Sequence, residues 1–487
     1  MQNTAVRNQE PKILWNHFAD INAIPRASKK EDRIVEFMVA FGKKLGLETI
    51  VDPVGNVIMR KSASAGMENR KTVVLQSHLD MVHQKNSDTD FDFDTQGIKM
   101  HVDGDWVRAK GTTLGADNGL GVAAIMSVLS SDDLIHPPLE ALFTIDEETG
   151  MTGAQGLQAG YLNGDILLNL DTEEDDEIDI GCAGGVDITA LKTYKEIKNN
   201  QGDPAFRFVI KGLQGGHSGM DIHKGLGNAN KLVNSFLERV QNIVQIISID
   251  GGGLRNAIPR ESEVLFLCKS DKIKELETAY LTYFAEIKEN YAAVEPDLLC
   301  TLDKVEGEFS SMDEKEQTAL IQALANAING VYKMSEEIAD LVEASNNIAR
   351  VMVKNGQIKI LCLTRSSVEA SKEEVANSLK TSFEDQGFEV KFSGAYPGWS
   401  PNRDSAILKV LTGIYEDIFK SQPAVVACHA GLECGILGTH YPDMDMISFG
   451  PTIKGAHSPD ERASISSSVR FWKFLKEILK NIPVKNN

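Results

Sequence analysis

At 487 residues the chain exceeds the roughly 250 to 300 residues over which one hydrophobic core keeps growing, so at least two domains are expected. Hydrophobic residues at 42% and charged residues at 25% are ordinary for a soluble globular protein and argue against long disordered tracts. A net charge of -20 argues against a nucleic-acid partner, because phosphate binding needs a surplus of Lys and Arg on one face.

The amino-terminal stretch MQNTAVRNQEPKILW lacks the basic-then-apolar order of a signal peptide, and no apolar run approaches the roughly 18 residues of a membrane span. Cys182, Cys268, Cys300, Cys362, Cys428 and Cys434 form no CxxC pair, which speaks against a thiolate zinc site or a disulfide framework. A cytoplasmic location with no membrane partner is the expectation.

Apolar residues recur at helical spacing through residues 11 to 47, and ETIVDPVGNVIMR reads as two strands around a turn at Pro53 to Asn56. TVVLQSHLD reads as a buried strand delivering His78 and Asp80 at its end, GLGVAAIMSVLSS as a buried helix, and ALFTIDEETG as a strand with a polar end. GLQAGYL reads as a short helical piece and DILLNLDTEE as a further strand with a polar end. This alternation predicts an open, mostly parallel sheet flanked by helices, whose ligand sites collect beyond the carboxyl ends of the strands.

After GCAGG at 181 to 185 two weakly similar units follow, each read as strand, helix and further strand. The first runs from RFVIKGLQGGHSG through a helix to VQIISIDGGGLRNAIPRESEVLFLC, and the second from IKILCLTRSS through a helix to FEVKFSG. Such pairing predicts an α+β, ferredoxin-like lid in duplicate. SAILKVLTGIYEDIF and VRFWKFLKEILKNI then read as amphipathic helices bracketing DMISFGP, a strand of the first sheet. The expected organisation is an α/β catalytic domain over 1-186 and 396-487, interrupted by a lid and dimerisation domain over 187-395.

Divalent cations want imidazole nitrogen and carboxylate oxygen, and a pair of ions needs a carboxylate to bridge them. His78, Asp80, Asp117, Glu147, Glu148, Asp171 and His457 each sit at an element end beside small residues. Singly each has a plain structural explanation: Asp117 suits a helix N-cap and residues 146 to 148 a solvated strand end. Together, charges from three strand ends converge on one crevice, where a cation is the natural counter-ion.

The strings SHLDMVHQK, GTTLGADNGLG, FTIDEETGMTGA, NLDTEEDDEIDIGCAGG, GGHSGMDI, HAGLECGIL and FGPTIKGAHSPDE resemble the M20 metallopeptidases over nearly the whole chain. HAGLECG and GCAGG resemble the aminoacyl-histidine dipeptidase branch of that family. The resemblance implies two divalent ions, zinc first with cobalt or manganese as alternatives, bridged by Asp117. It implies His78 and Asp171 completing one site and Glu148 and His457 the other, with Asp80 orienting His78 and Glu147 as general base toward metal-activated water. His217 in GGHSG is the implied oxyanion donor.

A dipeptidase also needs a clamp on the substrate carboxylate, for which Asn256 and Arg365 are the candidates, with Arg255, Arg260 and Arg403 as alternatives. Glu433, with His429, is a candidate for the substrate's ammonium end. His83 and His136 rank below His457 as ligands. The expected activity is hydrolysis of dipeptides, Xaa-His among them, by a homodimer. Tripeptide aminopeptidase, aminoacylase-type hydrolysis and a silent peptide- or metal-binding homologue are the alternatives.

Overall fold

The runs Val73–His78, Leu139–Thr144 and Ile166–Asn169 are strands buried along their whole length in the computed structural model, as strands covered on both faces must be. The structure describes residues 3–86, 88–199, 202–336, 338 and 340–485. Chain contacts divide it into two units. The first comprises everything up to Cys182, Trp399–Ala427 and everything from Leu432 on, and the second comprises Ala183–Gly398 with Cys428–Gly431.

An eight-stranded sheet organises the first unit. Its strand order is Glu48–Val51, Val57–Lys61, Leu139–Thr144, Val73–His78, Ile166–Asn169, Asp445–Ser448, Glu177–Cys182 and Ala424–Cys428. Leu139–Thr144, Val73–His78, Ile166–Asn169 and Asp445–Ser448 run parallel to one another, so their carboxyl ends share one edge. Glu48–Val51, Val57–Lys61 and Glu177–Cys182 join the sheet by antiparallel pairing, which makes it mixed around a parallel centre.

Local chemistry explains the flanking elements. The hairpin joining Glu48–Val51 to Val57–Lys61 is closed by Asp52, whose Oδ1 accepts the N–H groups of Val54, Gly55 and Asn56. The helix Asp32–Lys44 carries Asp32 in its first turn and Lys43 and Lys44 in its last, matching the helix dipole. The helix Ala116–Ser130 is apolar nearly all round and packs between Lys12–Ile21 and the sheet.

Two local expectations are corrected. GLQAGYL is not helical: a short turn of helix at Thr152–Gly156 ends at the segment's first residue and the chain then leaves in a loop, since the segment contains glycines at 156 and 160 and Gly160 has φ 96°. The stretch 244 to 268, read as one strand, is a pair of antiparallel strands, Val244–Gly252 and Ser262–Cys268. The break falls at Gly252, which has φ 75° and packs so closely on Ala349 that an added Cβ would lie 1.9 Å from its carbonyl oxygen.

The second unit is built on a nine-stranded sheet. Its main path is Leu299–Val305, Ala205–Lys211, Ser262–Cys268, Val244–Gly252, Val342–Lys354, Gln357–Ser366, Gly184–Thr193 and Glu389–Tyr396, with Gly330–Met334 also paired to Val342–Lys354. Neighbours are antiparallel throughout. Long helices at Ala229–Val240, Ile273–Asn290, Glu314–Asn326 and Glu369–Glu384 contribute Phe236, Tyr283, Leu320 and Phe383 to one core. At its centre Phe208 and Phe236 stack at 4.0 Å, and the buried Tyr283 hydroxyl donates to the Leu232 carbonyl at 2.6 Å.

Among the described residues no helix is long and apolar enough to cross a membrane.

Candidate metal centre

His78 is the last residue of its strand, and its ring is almost wholly buried. Its Nε2 lies 3.1 Å from Asp117 Oδ1 and 3.5 Å from Asp171 Oδ1, while its Nδ1 lies 3.2 Å from Asp80 Oδ1. Asp80 also accepts the N–H groups of Glu147 at 3.0 Å and Glu148 at 3.2 Å. One carboxylate therefore orients the imidazole and anchors the turn carrying the two glutamates.

That turn follows Leu139–Thr144 and depends on Asp146, which sits at φ 52°. The Asp146 carboxylate accepts the hydroxyls of Thr149 and Thr152, and its N–H donates to Glu31 Oε1 at 3.0 Å. These bonds stabilise a left-handed backbone that a non-glycine residue otherwise resists.

Asp117 stands between two imidazoles. Its Oδ1 faces His78, and its Oδ2 lies 3.1 Å from His457 Nε2, which is also 3.1 Å from Glu148 Oε2. Ligand atoms of His78, Asp117 and Asp171 lie within 4.8 Å of one another, as do those of Asp117, Glu148 and His457, and those of His78, Glu147 and Glu148. Asp117 is common to two of these groups and presents a different oxygen to each imidazole, which is the geometry a bridging carboxylate requires.

The donor set fits a pair of borderline divalent cations. Glu148 Oε1 and Asp171 Oδ1 are buried without a hydrogen-bond partner, a costly state that a cation would relieve. Glu31, Asp80 and Asp146 also approach one another, but backbone N–H groups donate to Glu31 Oε1 and to both Asp80 oxygens, and threonine hydroxyls donate to both oxygens of Asp146.

The electrostatics agree. Burial pushes Asp171 up to about 6 and raises Glu148, and it raises Glu147 far above the usual range with Glu148, Asp171 and Glu433 adding to the effect. Asp117 goes the other way: burial opposes its charge, but hydrogen bonds from His457 and His78 hold it well below the carboxylate range. Burial disfavours charge on both imidazoles, yet their carboxylate neighbours raise His78 and push His457 up to about 12. The carboxylates thus favour positive charge at this point of the structure, as a cation site requires.

Two supports of this centre escaped the sequence reading. Glu461, 2% exposed, accepts the N–H groups of Leu114, Gly115, Ala116 and Asp117 at 2.6, 2.9, 2.7 and 3.3 Å and so fixes the loop that presents Asp117. Arg26 is buried and donates to the carbonyls of Leu79, Asp80 and Gly115. Glu461 follows His457 by four residues in a quoted motif and was findable there. Arg26 gives no local signal.

His217 lies half-buried on Gly216–His217, paired with Ala257–Ile258, and its Nδ1 accepts N–H groups of Gly219 and Met220. Asn256 is exposed on the adjoining loop, where its carbonyl accepts the Ser218 N–H at 2.8 Å. Arg365 is buried, donates to the Tyr396 hydroxyl at 3.0 Å and keeps its Nε without a partner. These three belong to the second unit.

Of the alternatives, Arg255 is committed to Asp187, Thr189 and the carbonyls of Ile188 and Cys362, and Arg260 to the Leu213 carbonyl. Arg403 is exposed in the first unit. His429 groups with the second unit, 2.8 Å from Ser345 Oγ. His83 packs edge-on against Phe93, and His136 is buried with Nδ1 on the Pro137 carbonyl.

Glu433, expected at the substrate's ammonium end, is instead 0% exposed, and its Oε2 accepts from Gln76 and Thr144. It precedes the helix Cys434–His440 but makes no cap bond to it, its carboxylate being taken up by Gln76 and Thr144 of the sheet instead.

Residues 74–481 match peptidase family M20/M25/M40. The chain is 43% identical over 477 residues to the cytosol non-specific dipeptidase of Escherichia coli K12, covering 98% of each. It superposes on the crystal structure of aminoacylhistidine dipeptidase from Vibrio alginolyticus with a TM-score of 0.87 and 42% identity, covering 99% of each chain. Aminopeptidase PepT from Bacillus cereus shares the fold, with a TM-score of 0.58 at 15% identity over 97% of this chain and 99% of that one. With the match extending over most of its length, this chain belongs to peptidase family M20/M25/M40.

Proposed function

We propose that this protein is a two-metal dipeptidase that cleaves a broad range of dipeptides, Xaa-His among them. The carrying observation is Asp117, each of whose oxygens faces a different imidazole within a shell of buried, partly unpartnered carboxylates. The names of the two similar dipeptidases support the substrate class.

His78 and Asp171 would hold one ion and Glu148 and His457 the other, with Asp117 belonging to both groups of ligand atoms. Zinc is our first choice, while cobalt or manganese suits the same nitrogen and oxygen ligands. When bound, such ions polarise the scissile carbonyl and acidify water. Glu147 takes the proton of the attacking water and passes it to the leaving amine, a role suited to a carboxyl whose surroundings raise its proton affinity. Asp80 keeps His78 in the tautomer that presents Nε2.

We assign the second unit the role of lid and dimerisation domain. Its strand order fits two ferredoxin-like halves lying side by side in one sheet, the first inserted in sequence between strands of the second. One is built from Ala205–Lys211, Val244–Gly252, Ser262–Cys268 and Leu299–Val305, and the other from Gly184–Thr193, Val342–Lys354, Gln357–Ser366 and Glu389–Tyr396. His217 is assigned to the developing oxyanion, and Asn256 and Arg365 to the substrate carboxylate. The unpartnered Nε of the buried Arg365 supports the last assignment. A cytoplasmic homodimer is the corresponding cellular form.

The deciding experiment pairs elemental analysis with a panel of dipeptides, tripeptides and acyl amino acids. Two ions per chain and cleavage of dipeptides are expected. Cleavage confined to tripeptides or acyl amino acids overturns the substrate assignment, and no cleavage in fully loaded protein overturns the enzymatic one.

A further inference from the structure

One layer beneath the ligands, polar side chains from five neighbouring strands form a transverse row across the first unit's sheet. Thr144, Gln76, Asn169, Ser448 and Asp179 come from strands adjacent in that order, and the register pairs Gln76 with Asn169, Asn169 with Ser448 and Ser448 with Asp179. All are buried, as are Thr172 and Glu433, which complete the row.

The row is a continuous hydrogen-bonded string. Gln76 Nε2 donates to Glu433 Oε2 at 2.6 Å, Asn169 Nδ2 to Gln76 Oε1 at 2.5 Å, and Ser448 Oγ to Asn169 Oδ1 at 2.5 Å. Ser448 Oγ and Thr172 Oγ1 then meet at 2.8 Å, and Thr172 Oγ1 and Asp179 Oδ2 at 2.8 Å. Thr144 Oγ1 also donates to Glu433 Oε2, at 2.6 Å.

There are five contacts between Glu433 and Asp179, and four groups between the ends. An amide presents its NH₂ on one side and its carbonyl on the other, and a hydroxyl has a single hydrogen, so each interior group furnishes one proton. Five contacts need one more. Reversing both amides exchanges the ends but leaves the count unchanged.

We propose that the string holds one buried proton at neutral pH, on Asp179 with the amides oriented as above and on Glu433 with them reversed, and that both acids are positioning residues for the ligand-bearing strand ends. Gln76 lies two residues before His78, Asn169 two before Asp171, and Thr172 directly after Asp171. A satisfied string therefore sets the lateral spacing of the strands that carry the ligands, whereas an ionised one leaves two acceptors facing each other in the core.

The surroundings favour a retained proton. Asp179 faces Glu177 and Asp171, and Glu433 faces His78, Asp171 and Asp80, with Glu147 and the thiols of Cys182 and Cys434 nearby. Burial above all pushes Asp179 up to about 7 and Glu433 up to about 8. The positioning role rests on the two-metal reading; the hydrogen count does not.

Infrared spectroscopy of the metal-loaded protein near neutral pH, in H₂O and D₂O, tests the proton. Because other buried carboxyls, Glu147 among them, also favour the proton, the readout is the spectrum of the wild type minus that of the double variant D179N/E433Q: a carboxylic C=O band that shifts on deuteration is expected in that difference, and the single variant that removes the same band locates the proton. Identical wild-type and double-variant spectra in that region overturn the proposal. Asp179→Asn can donate in place of the acid, so it should keep wild-type metal affinity, while Asp179→Ala should weaken it by about ten- to a hundredfold, as loss of an outer support does. Wild-type affinity in Asp179→Ala, or an Asp179→Asn variant as weak as the alanine, overturns the positioning role. Failure of the wild type to bind two ions would instead count against the metal reading, leaving the infrared result intact.

Discussion

Replacing Glu461 by Gln tests whether the Asp117 loop is held as its contacts imply. The glutamate accepts two N–H groups on each oxygen, Leu114 and Gly115 on Oε2 and Ala116 and Asp117 on Oε1. In Glu461→Gln one oxygen becomes NH₂ and faces two donors, so two charge-assisted bonds are lost, each contributing about 1.5 to 3 kcal/mol. A loss of about 3 to 6 kcal/mol is expected for the first unit. The loop cannot easily adapt, because an added Cβ at Gly115, φ 69°, would lie 2.5 Å from the Arg26 guanidinium that buttresses it.

The assay is built into the sequence: Trp15, Trp106, Trp399 and Trp472 are the four tryptophans and all lie in the first unit, so tryptophan fluorescence during urea unfolding reports that unit alone. Metal affinity measured on the same samples should fall with stability, since Asp117 loses its fixed position. A midpoint change equivalent to less than about 1 kcal/mol, the cost of one ordinary neutral hydrogen bond, would refute the reasoning.

Glu147→Gln should retain two ions while turnover falls by about 10² to 10⁴, the range for loss of a general base, and full activity would remove Glu147 from that role. His217→Ala should lower turnover by about 10² to 10³ with metal content unchanged if it supports the oxyanion; unchanged turnover rejects it. Ion binding should release protons, because His78 and His457 are held protonated by their carboxylates. Calorimetry in buffers of different ionisation enthalpy reads that release, and affinity independent of pH would contradict it. Burial pushes His429 down to about 3 against 6.5 in the unfolded chain, so between these values the unfolded state binds the extra proton. Its contribution to stability is complete above about pH 6.5 and declines as pH falls toward 3, and His429→Gln should flatten that arm in circular-dichroism melts.

Local order made much of the first unit readable. Apolar runs ending in a charged residue, as in VVLQSH, or returning at helical spacing, as in VAAIMSVL, have their meaning within ten residues. The same locality placed His78, Asp80, Asp117, Glu147, Glu148, Asp171 and His457 at element ends, where the structure brings their side chains together. Reading failed where glycine punctuation competed with apolar content. Residues 244 to 268 carry a continuous strand-like composition, yet close packing at Gly252 turns them into two strands. The strand Gly184–Thr193 was overlooked because its pairing partners, Gln357–Ser366 and Glu389–Tyr396, lie far along the chain.

The sequence by itself determined the kinds of ligand present, the alternation that builds a parallel sheet, and a strong likeness to M20 peptidases, because each is written in short windows or in ordered motifs. The tertiary structure alone decided which side chains face which. Glu433 resembles a substrate contact in its motif and lies wholly buried on Gln76. Glu461 stands four residues after His457 with nothing nearby to show its partners, and it gathers four backbone donors from residues more than 340 positions away. Hydrogen-bond partners separated by hundreds of residues are set by strand order and register, and the pattern within any one segment does not contain them.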